Sequence, residues 1–106
     1  MAKYLLKVSY TADGARGLLD KGGSSRRAAV NGLVEQMGGT LEAFYFALGE
    51  DDAYVIADVP DITDLVAVSL AVAAAGGARF TSVPLLTPEQ LDAAAKREIG
   101  YQAPGA

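Results

Sequence analysis

Glu50, Asp51 and Asp52 stand side by side between two apolar, alternating runs, "FYFALG" and "AYVIADV". Carboxylates at such a place have three uses. They solvate the tip of a turn, with Gly49 supplying an unusual backbone angle. They form the rim of a ligand site, with Asp52 at a strand start and directed into a cavity. Or they hold a hard cation, but calcium asks for about six to eight oxygens, and the Asp-x-Asp-x-Asp-Gly spacing is missing. No metal site is therefore expected. A second set is Lys7, Ser9, Tyr45, Asp52, Tyr54 and Arg79. Strand alternation can place the first five on one sheet face, and Arg79 joins them if its strand has the matching register. An ammonium, a guanidinium and phenol hydroxyls would bind an anionic or carbonyl-bearing molecule. Tyr or Asp could then move a proton without a cofactor. The same residues also suit a protein interface, where Tyr is common. Both readings stay open at this point.

Absences narrow the chemistry. The chain contains no His and no Cys, so it offers no His general base, no Ser-His-Asp triad, no thiolate and no disulfide. Net charge is −4, which does not favour nucleic acid. "DGARGLLDKGGSS" is glycine-rich but lacks the spacing of a phosphate loop. "SRRA" is too short to be a basic stripe. The longest apolar stretch, "LVAVSLAVAAAGG", falls short of the roughly 20 residues of a membrane span, and the start has no signal-peptide pattern. A soluble cytoplasmic protein is expected, with no membrane, nucleic-acid or cofactor partner.

The elements that would position these residues can be read from periodicity. A length of 106 residues, 51% of them hydrophobic, suits one ordered domain, assigned to 1–99, with a frayed tail over 100–106. "KYLLKVSYT" alternates, with Tyr4, Leu6, Val8 and Tyr10 on one face. "TADGARGLLDKGG" reads as a loop with a helical turn. "SSRRAAVNGLVEQMGG" reads as a helix capped by Ser24 or Ser25 and stopped by Gly38-Gly39. Its internal Gly32 either weakens it or admits a close contact. "TLEAFYFALG" and "DAYVIADVP" form an antiparallel hairpin. Asp61 caps a helix with a stripe of Ile62, Leu65, Val66, Ser69 and Ala73 that is apolar nearly all round. "ARFTSVPLL" is a strand that Pro84 assigns to an edge or a bulge. "TPEQLDAAAKREI" opens with a capping box of Thr87 and Gln90.

The order strand–helix–strand–strand–helix–strand–helix is the α+β, ferredoxin-like βαββαβ pattern with a C-terminal helix. Helices cover one face of its sheet. The other face would hold Leu5, Tyr45, Tyr54 and Ile56 among Lys7, Ser9, Asp52 and Asp58. That is too apolar to leave bare and too polar for a core. A homodimer, or an assembly of dimers, with two sheets enclosing a small polar-lined space is expected. Lys7 in such a space needs Asp52 or Asp58, solvent, or a bound anion. Asp52 is assigned to the body of the domain and Asp51 to solvent.

"MAKYLLKVSYTADG", "QMGGTLEAFYFALGEDDAYVIADVPD", "GGARFTSV" and "LTPEQL" together resemble the GYD-domain family over nearly the whole chain. The family's signature, Leu-Gly-Glu-Tyr-Asp, stands here as Leu48-Gly49-Glu50-Asp51-Asp52, with Asp51 in the Tyr position. Tyr45, Pro60-Asp61, Arg79 and the Thr11-x-x-Gly14 start also match. The resemblance implies a dimeric α+β barrel and brings no activity with it. Two classes of function follow: a noncatalytic oligomeric module binding a small molecule or a partner protein, or a cofactor-independent enzyme of the dimeric α+β barrel type acting on a small carbonyl- or carboxylate-bearing metabolite.

Overall fold

A computed structural model describes residues 1–105. Its elements are β1 (Ala2–Tyr10), α1 (Ala12–Lys21), α2 (Gly23–Gln36), β2 (Thr40–Phe46), β3 (Ala53–Val59), α3 (Ile62–Ala75), β4 (Ala78–Leu85) and α4 (Pro88–Ala95). The sheet is antiparallel with order β2-β3-β1-β4. This is the ferredoxin-like α+β arrangement, with β4, the strand that contains Pro84, on an edge of the sheet. Period-2 alternation decides which side of the sheet meets the helices. Tyr4, Leu6 and Val8 of β1 and Ala53, Val55, Ala57 and Val59 of β3 are buried with Val34, Met37 and Leu65 from the helices.

The segment after β1 is not a loop. Thr11 caps α1 by accepting a hydrogen bond from the Gly14 N–H, and the helix runs ten residues through Gly14 and Gly17. Each glycine weakens a helix by only about 1 kcal/mol, and the cap together with contact against the fold offsets it. Gly14 also has a positional reason: a Cβ there would lie 1.9 Å from the Gly77 carbonyl oxygen. Thr11 fastens the same junction, donating its backbone N–H to Gly77 O at 3.1 Å and its hydroxyl to Gly76 O at 2.7 Å.

α2 starts earlier than its serines suggest. Gly22, at φ 82°, takes the N-cap position and no side chain caps the helix, so neither Ser24 nor Ser25 does so. The stop at Gly38 is as expected, with φ 73°. Gly32 serves no close contact, since a Cβ there would meet nothing within 4 Å. Gly32→Ala is therefore expected to stabilise the protein by up to about 1 kcal/mol, read as a rise in the midpoint of urea unfolding.

α3 is capped as expected, Asp61 accepting from the Thr63 N–H at 2.9 Å. Its inward stripe is rotated from the expected one: Leu65, Val68 and Val72 pack on the sheet, while Ile62, Val66 and Leu70 are exposed. The helix is apolar on both sides, so periodicity could not choose between them. α4 has the expected capping box, with Pro88 at its first turn. No residue of α4 is buried. The radius of gyration is 17.1 Å, against about 13 Å for a compact domain of this length. Residues 100–105, the described part of the expected tail, are exposed and form neither helix nor strand; Ala106 lies outside the described residues.

Candidate functional site

The uncovered face of the sheet is ordered by register. Tyr45 pairs with Tyr54, and Tyr54 with Lys7. One row along, Ser9 pairs with Arg79. The register thus sets Lys7, Ser9, Tyr45, Tyr54 and Arg79 on one face, alongside Leu5, Ile56 and Val83, which form their own cross-strand row. Tyr45 and Arg79 are exposed, and Lys7 and Tyr54 half-buried.

Asp52 occupies the same parity of β3, but its carboxylate has a backbone task. Its Oδ2 accepts from the Tyr10 N–H at 2.8 Å. Its own N–H donates to Val8 O, and its carbonyl accepts from the Ala47 N–H, both at 2.8 Å. Asp52 therefore joins the end of β1 to the closure of the β2–β3 link, within the body of the domain. That link is a broad bend over residues 48–52. Gly49 is not among the glycines with positive φ, so the unusual backbone angle expected of it is not what turns the chain.

Asp51 is not a solvent residue. Its side chain is only 20% exposed and lies 3.8 Å from Lys7 Nζ, and it accepts a long hydrogen bond, 3.4 Å, from the Tyr54 hydroxyl. Lys7 thus pairs with Asp51, and with neither Asp52 nor Asp58. The reason is the bend: residues preceding β3 fold back over the face, which strand parity alone could not show. Asp58 pairs with Lys3 at 3.2 Å. Lys3 also donates to Glu42, which the β-bulge between Leu41 and Ala43 brings within reach. The Glu42 hydrogen bond, followed by that of Asp58, raises the Lys3 ammonium above its ordinary pKa.

The face therefore carries Lys3 and Lys7, which already have carboxylate partners, the exposed Arg79, a pair of facing tyrosines, and an apolar row between. Asp51 and Glu42 were missed as members of it, and Lys3 was not counted among the candidate site residues. The alternation of "KYLLKVSY" does place Lys3 with Lys7, but Glu42 could be found only from the bulge.

No helix among the described residues is long and apolar enough to cross a membrane. No curated protein and no solved structure matches the chain. The family model described as GYD domain does match, over residues 4–95, a span that includes every element from β1 to α4 apart from the first residues of β1. The chain belongs to the GYD domain family.

Proposed function

We propose that this protein is a homodimeric, noncatalytic binding module whose two copies meet through their uncovered sheet faces. The observation that carries the reading is the apolar content of that face: Leu5, Ile56 and Val83 form a row across three strands, and beside it Tyr45 is 72% exposed. Large contiguous apolar patches on a domain surface mark interaction sites. The extended C-terminal segment supports it. An eight-residue helix is marginal in water without tertiary packing, and Leu86 and Leu91 of this arm are exposed. A second copy supplies the surface that both features lack. The outer stripe of α3, Ile62, Val66 and Leu70, is the surface on which dimers would join into larger assemblies.

Between the two sheets, Lys7, Ser9, Tyr45, Tyr54 and Arg79 line the enclosed space, with Asp52 at its end. Asp51 already balances Lys7, so Arg79 is the cation of this space left to take the oxygen of a carbonyl- or carboxylate-bearing molecule. A second reading rests on the Lys7–Asp51–Tyr54 chain: a phenol beside a carboxylate and an ammonium can relay a proton, which would make the protein a cofactor-independent enzyme.

Light scattering at micromolar concentration tests the dimer. A mass of twice the 10.9 kDa chain is expected. Tyr45→Asp, at a residue that one copy leaves exposed, should yield folded monomers by circular dichroism. A stable monomer for the unsubstituted protein overturns the reading.

A further inference from the structure

On the helix side of the sheet, among α1, α2 and the C-terminal turns of α3, lies a cavity of about 420 Å³. Pockets for small molecules span about 300–1,000 Å³. Its walls are mostly apolar, with Leu18, Leu33 and Val72 prominent. Lys21 and Arg26 reach it, and among the described residues no carboxylate lines it. That is unexpected in a chain of net charge −4, in which Lys3, Lys7 and Arg16 each sit against a carboxylate. Neither Lys21 nor Arg26 forms an ion pair among the described residues.

Tyr10 closes the inner end. Its hydroxyl and the Arg26 Nε are buried and find no hydrogen-bond partner among the described residues. The Arg26 guanidinium carbon lies 5.7 Å from the Tyr10 ring centroid, a cation–π distance that holds the two groups as one unit. Buried polar groups in native proteins are nearly always satisfied, and an exception calls for a missing partner. α2 adds to the same field. Its first turn contains Ser25 and Arg26 of the cavity wall and has no side-chain cap, and the N-terminal end of a helix favours negative charge. A narrow apolar extension of about 40 Å³ shares Tyr10, Arg26, Leu33 and Val72 as its wall and continues toward Leu65 and Phe44 in the core.

We infer that this cavity binds a small amphipathic carboxylate. Arg26 and the Tyr10 hydroxyl take the anionic head and Lys21 stands near it. The apolar body lies against Leu18, Leu33 and Val72. A guanidinium paired with a hydroxyl matches the two oxygens of a carboxylate, and the apolar walls select an organic acid over a bare inorganic anion. The site is on the opposite side of the sheet from the dimer face and is built from one chain, so it stands or falls separately from the dimer.

The test is an NMR titration of the full chain, labelled with nitrogen-15, with phenylacetate and octanoate, each against its neutral alcohol, 2-phenylethanol and octan-1-ol. Saturable shifts are expected at the amides of Tyr10, Leu18, Arg26 and Leu33, with the acids binding at least about tenfold tighter than the alcohols. Arg26→Gln should remove that preference and leave alcohol binding within about twofold. Gly17→Leu keeps Arg26 and Tyr10 but fills the cavity. Gly17 lines it and a Cβ there meets nothing within 4 Å, so the helix tolerates the change. This variant should lose acid and alcohol alike, and it decides the matter even if Arg26→Gln fails to fold. Absence of saturable shifts up to millimolar probe, equal affinity for acid and alcohol, or undiminished binding by Gly17→Leu overturns the inference.

Discussion

Replacing Gly14 with alanine is expected to be the most damaging one-carbon change in the chain. The added Cβ would sit 1.9 Å from the Gly77 oxygen and 2.9 Å from the Gly77 carbonyl carbon. Neither neighbour is a side chain that can swing away. Relief requires α1 to lift from the start of β4, which breaks the two hydrogen bonds that Thr11 gives to Gly76 and Gly77. Overpacking of this kind costs about 1–3 kcal/mol and occasionally more, and the lost hydrogen bonds add about 1 kcal/mol each. At about 4–8 °C per kcal/mol for a domain of this size, the melting temperature should fall by well over 10 °C. Gly17→Ala is the control within the same helix. No atom lies near its new Cβ, and helix propensity favours it by about 1 kcal/mol. Equal melting temperatures for the two variants would show that α1 does not pack on Gly77 as described.

Asp52→Ala is expected to cost about 1–3 kcal/mol, because the Tyr10 N–H loses a charged acceptor. The adjacent Asp51→Asn should cost about 0–1 kcal/mol, since it removes only a 3.8 Å pair with a Lys7 side chain that is 40% exposed. Adjacent carboxylates of the same type are thus separated by role: Asp52 secures backbone, Asp51 tunes the face. Urea unfolding of both variants measures the difference. An Asp51→Asn variant as unstable as Asp52→Ala would contradict the assignment.

The strands were legible because β1 and β3 alternate without interruption, so that Tyr4, Leu6, Val8 and Val55, Ala57, Val59 name their own buried face. The capping box at Thr87 and the Asp61 cap are local chemistry and were legible for the same reason. α1 was not, because closely spaced glycines mark turns, while the reason for Gly14 is a neighbour more than sixty positions away, Gly77. The facing of Tyr45 and Tyr54 followed from parity. The partnership of Lys7 with Asp51 did not, since it depends on how the bend before β3 folds back. Tyr10 was recognised as an inward strand residue, and Arg26 only as part of a short basic pair. Their meeting is a tertiary event that no spacing announces.

The central position of β1 has a consequence for how the protein is made. It leaves the ribosome well before its partners, which begin at Ala53 and Ala78, and both flank it in the finished sheet. The β2–β3 hairpin can close as soon as it emerges, but β1 cannot be sealed on its second side until the last strand has been synthesised. Sheets dominated by such distant pairings fold slowly, because loop closure precedes any gain from contact. Over that interval the stripe of Tyr4, Leu6 and Val8 depends on α2, α3 and the hairpin for cover, and a chain interrupted before Ala78 presents one bare edge of β1 to its neighbours on the polysome.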